Sequence, residues 1–138
     1  MPWLIDTDIF IEGERGNPAF KHWLANADEI ATADIVRGEF LLGVRAVADA
    51  SLRQRGSQFY ADRIAHLPSF ASEPADYEKA ATLAGEARRL GKGKPSLIDG
   101  LIAALAFRTG AKIATRNVVD FKAMGSSCEN PLVAQQPQ

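Results

Sequence analysis

An α/β fold with a mainly parallel sheet is predicted by three features of the sequence. Short apolar strand-like runs alternate with longer segments of helical periodicity, Gly, Pro and Asn punctuate the junctions, and no repeat or linker divides the chain. Crossovers of the usual right hand would then place helices on both faces of the sheet. At 138 residues the chain has the length of one ordinary domain, and a chain of this size buries roughly two-thirds of its unfolded surface unaided.

Residues 2–6 read as a short buried strand. Asn17-Pro18 opens a helix to about residue 26 that turns Phe20, Trp23 and Leu24 inward. Ile30 to Ala33 is a second strand, and Asp34 stands where it would cap a helix with Ile35, Val36, Phe40, Leu41 and Val44 at helical spacing. A helix over 51–65 and a brief strand from Leu67 to Phe70 follow. Glu73-Pro74 opens a helix that runs to Leu90 and stops at Gly91. After the loop Lys92 to Pro95 come an apolar helix from Leu97 to Phe107, a strand from Lys112 to Thr115, and a short helix begun by Asn117 or Asp120. Pro131 to Ala134 reads as a last strand. The domain is thus expected to span residues 1–134, with a loose tail at 135–138.

Composition narrows the classes of function. Apolar residues make up 46% and charged residues 24%, both globular values. Cys128 is the single cysteine, so neither an internal disulfide nor a thiolate metal cluster is available, and a reducing cytoplasmic setting fits. Acids at positions 6, 8, 12 and 14 break the pattern of a signal peptide, and no uncharged run reaches the roughly 20 residues of a membrane helix. A net charge of −1 argues against a general nucleic-acid coat. Arg88, Arg89, Lys92 and Lys94 nevertheless form a local basic run, which serves either a phosphate backbone or the negative end of a helix dipole.

Four carboxylates from separate segments carry the functional reading. Asp6 ends an apolar strand, with Thr7 and Asp8 adding oxygen donors at the same point; a turn or helix cap is the structural alternative. Glu39 lies in an apolar helix stretch on one face with Gly43, where another element can approach closely. Asp99 stands three residues after Ser96, the spacing of a capping box, at the sheet's ligand end. Asp120 follows Val118-Val119 and can also cap locally. Open parallel sheets bind ligands beyond the carboxyl ends of their strands, which is where Asp6 and the residues after Thr115 emerge. Clustered carboxylates repel one another unless a proton or cation compensates, and oxygen donors without sulfur or imidazole favour Mg²⁺ or Mn²⁺. A cation so held can activate water and stabilise charge in phosphodiester hydrolysis.

The segments Trp3-Leu4-Ile5-Asp6-Thr7-Asp8, Glu39-Phe40-Leu41-Leu42-Gly43, Pro95-Ser96-Leu97-Ile98-Asp99 and Thr115-Arg116-Asn117-Val118-Val119-Asp120-Phe121 resemble, in that order, the PIN-domain ribonucleases, most closely the VapC toxins of type II toxin–antitoxin pairs. The resemblance spans nearly the whole chain. It implies a five-stranded parallel sheet between helices and an acidic pocket in which Asp6, Glu39, Asp99 and Asp120 hold the metal and position water. Asp6 and Asp99 would be the principal Mg²⁺ ligands, supported by Thr7, Thr115 and Asn117. It also implies an endoribonuclease acting on structured RNA such as tRNA, a homodimer, and a cognate antitoxin whose inserted Arg occludes the acids. Arg116 and the run from Arg88 to Lys94 would touch RNA phosphates. Asn117 replaces an acid that some PIN domains carry, which weakens any second metal and leaves one-metal catalysis open.

Three rivals stand beside this reading: a PIN-type RNA-processing nuclease without an antitoxin, a receiver-like Mg²⁺-binding signalling module, and an inactive binding domain. A receiver needs a phosphoacceptor Asp on a central strand and a late Lys; only its early acid pair, Asp6 and Asp8, is present. His22 and His66 have no partners spaced for catalysis and are read as core or surface residues, and Trp3 and Trp23 as packing.

Overall fold

A computed structural model describes residues 2–133. All its strand pairings are parallel, in the order β3-β2-β1-β4-β5. The strands are β1 (Trp3–Ile5), β2 (Ile30–Ala33), β3 (Ser69–Phe70), β4 (Lys112–Ala114) and β5 (Cys128–Glu129). Receiver domains order their strands 2-1-3-4-5, so the observed order removes the signalling rival. β1 is central and pairs with both β2 and β4. Pairing continues one step past the strand ends. Asp6 N–H donates to Ala114 O at 2.9 Å and Thr115 N–H to Glu129 O at 3.0 Å, which fixes Asp6 and Thr115 side by side at the carboxyl edge.

The helices are α1 (Thr7–Glu14), α2 (Pro18–Asn26), α3 (Asp34–Arg45), α4 (Ala50–Phe59), α5 (Pro74–Arg89), α6 (Leu97–Thr109) and α7 (Val118–Ala123). Helix α1 occupies residues to which the sequence pattern assigns no element. The helix anticipated over 51–65 divides into α4 and a π-helical turn, Tyr60–Ile64, whose last residue is fully buried. Asp34 does not cap α3. Ala33 holds that position, and Asp34 is the first helical residue, its carboxylate accepting from Ile35 N and from the backbone and hydroxyl of Ser72. Among the described residues the last strand is β5, and Pro131–Val133, expected to begin a strand, form a turn and a bend. Ala134 and the tail at 135–138 lie outside the described residues.

Two packing features place the functional segments. Phe10 of α1, Phe20 of α2, Phe40 of α3 and Phe59 of α4 form a ring cluster with centroids 5.8–6.5 Å apart. Since Phe10 follows Thr7 by one helical turn and Phe40 follows Glu39 directly, their burial sets α1 against α3 at the acids. Trp3 and Trp23 meet edge to face at 5.5 Å, a packing role as read from the sequence.

Helix α6 is buried continuously from Gly100 to Ala106, against Ala80, Ala84 and Ala87 of α5. Small residues on both helices permit close approach. A Cβ on Gly100 would lie 2.6 Å from the Ala80 carbonyl oxygen. Gly100→Ala is therefore expected to destabilise the fold by about 1–3 kcal/mol or more, because backbone must move to admit the methyl group. Urea unfolding checks this, and an unchanged midpoint would contradict the contact.

Candidate functional site

Asp6 has a double job at the end of β1. Its Oδ1 accepts from Thr7 N–H at 2.8 Å, capping α1, and its Oδ2 accepts from the Thr115 hydroxyl at 2.8 Å. The Thr115 hydroxyl oxygen in turn accepts from Asn117 N–H at 2.9 Å, so the start of α7 is tied to Asp6 through one side chain. Asn117 occupies the cap position of α7. Thr7 and Thr115 are both buried.

Glu39 is half-buried on α3, and its Oε1 accepts from the Thr7 hydroxyl. Thr7 thereby links Glu39 to Asp6, to which its own N–H donates. The close approach anticipated at Gly43 does not occur: Gly43 is exposed, with no neighbour within 4 Å of a built Cβ, and lines a cleft of about 320 Å³ with Glu39. Asp99 forms the anticipated capping box. Its Oδ2 accepts from Ser96 N–H at 3.0 Å, and Ser96 Oγ accepts from Asp99 N–H at 3.0 Å.

The electrostatics mark where charge concentrates. Burial pushes the Asp6 carboxyl from the usual 3.8 to about 7. The charge of Asp8 adds to the rise and that of Asp99 contributes further, against the hydrogen bonds from Thr115 and Thr7. Asp8 is also raised, first by burial and in part by Asp99, and opposed by Arg116. Both Asp8 oxygens accept from Arg116 N–H, at 3.2 and 3.0 Å, while the Arg116 guanidinium pairs with Glu12 at 2.7 Å. Asp8 therefore belongs to the charged cluster more closely than its place as an auxiliary donor in the sequence reading suggested. Glu12 joins the cluster as well, and nothing in its spacing along the sequence points to a contact with residue 116.

Asp120 sits differently. Its Oδ1 accepts from Lys94 N–H and its Oδ2 from Asn117 Nδ2, both at 3.0 Å, so it joins Asp6 through a chain of hydrogen bonds by way of Asn117 and Thr115. In the basic run, Arg88, Arg89, Lys92 and Lys94 are all exposed, and Arg88 Nε donates to Pro95 O at 2.7 Å. His22 and His66 are exposed.

The donor set suits a hard divalent cation. Among the described residues Asp6 and Asp99 accept hydrogen bonds only from neutral groups, and no side-chain cation is bonded to either. Among the described residues no three His, Cys, Asp or Glu side chains already form an ion cage. No helix among the described residues is long and apolar enough to cross a membrane.

Solved structures share this arrangement of strands and helices. A chain of FitAcB from Neisseria gonorrhoeae superposes with a TM-score of 0.82 at 24% identity, covering 94% of this chain and 97% of the other. VapBC2 from Rickettsia felis, bound to a DNA fragment from its promoter, gives 0.74 at 21% identity, with coverages of 94% and 98%. Mycobacterium tuberculosis VapC20, described as a sarcin-ricin loop cleaving toxin, gives 0.66 at 20% identity, with coverages of 90% and 95%. At these identities the likeness speaks for the fold. Membership is carried by the sequence itself: the PIN domain model matches residues 3–125, from β1 through α7, and this chain belongs to the PIN-domain family.

Proposed function

We propose that the protein is a Mg²⁺-dependent endoribonuclease, Mn²⁺ being an alternative, and the toxin of a type II toxin–antitoxin pair. The observation that carries this reading is the buried Asp6 carboxyl, forced upward by burial and by the charges of Asp8 and Asp99, at the carboxyl edge of a parallel sheet. Asp6 and Asp99 would hold the cation, with Asp8 and Glu39 beside them. A bound cation supplies charge neutralisation and an acidified water for attack on a phosphodiester. Thr7 fixes one oxygen of Glu39, leaving this carboxylate positioned to orient water, and Thr115 fixes one oxygen of Asp6. Arg116 and the run from Arg88 to Lys94 would contact RNA phosphates, with tRNA as a candidate substrate.

The toxin reading draws on the company of the fold. FitAcB and VapBC2 are both among its structural neighbours, and a further one from Klebsiella pneumoniae is described as a toxin-antitoxin complex. Acids with no cation bonded to them suit an antitoxin that inserts an Arg, and a homodimer within a larger toxin–antitoxin assembly follows the same analogy. Purified protein is expected to cleave RNA with Mg²⁺ or Mn²⁺ and to stop on addition of EDTA. Mapping RNA ends after brief expression would identify the target. A well-folded protein that takes up neither ion by calorimetry and cuts no RNA overturns the proposal.

A further inference from the structure

We infer that Asp120 is a positioning residue that latches the basic loop Gly91–Pro95 into one wall of a phosphate-binding cleft, and is not a ligand of the catalytic metal. The inference rests on the ribonuclease reading for the cleft's occupant, but its structural half stands independently.

Asp120 Oδ1 accepts from the Lys94 backbone N–H and its Oδ2 from the Asn117 amide, so its partners lie on the basic loop and at the start of α7, whereas those of Asp6 and Asp99 lie at the ends of β1 and β4 and at the start of α6. The same carboxylate is packed against the loop, since a Cβ on Gly93 would lie 2.5 Å from Asp120 Oδ1 and 3.5 Å from Ala123 Cβ. Glycine at 93 is thus what lets the loop come down onto α7. Next to Lys94, Pro95 is held by Arg88, whose Nε donates to Pro95 O, and at the loop's other end Gly91 turns the chain out of α5 with φ of +66°. Between these fixed points lies an open cleft of about 530 Å³ lined by Arg88, Gly91, Gly93 and Lys94, with Lys92 exposed alongside.

Two cationic side chains beside two glycines give positive charge and room for a phosphate to approach the backbone. A loop flanked by glycines would otherwise pay ordering entropy on each binding event, which two anchoring hydrogen bonds reduce in advance. Beyond Pro95 the chain enters Ser96, the cap that Asp99 reciprocates. The latch therefore connects the cleft to the acidic site along six residues of backbone, from Lys94 to Asp99.

The test compares Asp120→Ala, Asp120→Asn and Gly93→Ala in the full chain, with bulk tRNA as the RNA probe and Mn²⁺ as the metal probe. Asn retains an oxygen for the Lys94 amide, whereas Ala at 120 removes it and Ala at 93 pushes the loop off. Asp120→Ala and Gly93→Ala are each expected to raise KM for tRNA cleavage about five- to tenfold with kcat and Mn²⁺ affinity little changed, and Asp120→Asn to hold KM within about twofold of wild type. Exchange of the Lys94 amide, followed by NMR, should accelerate in the two Ala variants and not in Asp120→Asn. Equal loss of Mn²⁺ uptake in Asp120→Asn and Asp120→Ala would make Asp120 a ligand and overturn the inference. So would unchanged KM and unchanged Lys94 exchange in both Ala variants. Should wild-type protein bind Mn²⁺ yet cut no tRNA, amide exchange still decides the latch, and the ribonuclease reading falls by itself.

Discussion

Asp6→Asn and Asp99→Asn are each expected to lower metal-dependent RNA cleavage by about a thousandfold or more while leaving the fold in place. Each substitution removes a negative charge but keeps an acceptor oxygen. At position 6, Asn still accepts from Thr7 N–H, and Asn is among the best helix caps. At position 99, Asn still accepts from Ser96 N–H, so the start of α6 is retained. Loss of activity would then come from the missing charge and not from unfolding. Single-turnover cleavage measured beside circular-dichroism melting separates these outcomes. A folded Asp6→Asn protein that cuts RNA at the wild-type rate would remove Asp6 from the chemistry.

Without metal, the protein should become less stable as pH rises from about 4 to 7. The sign follows from proton binding. The folded state holds the Asp6 proton up to about pH 7, whereas the unfolded chain releases it near 3.8. Throughout that interval the folded state binds more protons, so each pH unit favours unfolding. At about 1.4 kcal/mol per unit, the ceiling is on the order of 4 kcal/mol, and the raised carboxyl of Asp8 acts in the same direction. Asp76 works oppositely: hydrogen bonds from Arg108 hold its carboxyl below the usual range, and its contribution is lost only at more acidic pH. Urea unfolding in EDTA at pH 5 and pH 8 should show greater stability at pH 5. Saturating Mg²⁺ should raise stability most at pH 8, where Asp6 has no proton to give up. Asp6→Asn should flatten most of the metal-free slope, and a slope retained in that variant would sink this account.

Much of this was legible in the sequence because the relevant signals are local. Ser96 and Asp99 stand at capping-box spacing, and the box is present. Asn17-Pro18 and Glu73-Pro74 open helices where expected. Elements without a local signal were missed. Helix α1 follows β1 with Asp6 as the only residue between, so a single capping residue marks its start and reads equally as a strand end, and acids at 8, 12 and 14 interrupt the apolar pattern of Ile9, Phe10 and Ile11. Strand β5 has two residues, Cys128 and Glu129, and owes its existence to pairing with β4, a partner no local window contains.

The acids show the same division. Placing Asp6 at the ligand end of the sheet needed only strand order and the end of an apolar run. Recognising that Thr115 would clasp Asp6, that Arg116 would lie against Asp8 and Glu12, or that Lys94 would occupy Asp120 requires contacts across 26 to 109 residues of chain. Sequence spacing does not encode which of several acids receives which donor.

Asp6 and Asp99 each begin a helix as well as facing the cluster, and this constrains how such a protein can decay. A lineage released from selection for catalysis could not replace either residue freely, since a bulky or apolar side chain would fray α1 or the buried α6. The smallest change that silences the site is a one-atom exchange of oxygen for nitrogen, which removes the charge and spares the architecture. Silent descendants of this chain should therefore carry amides at these two positions and keep their shape.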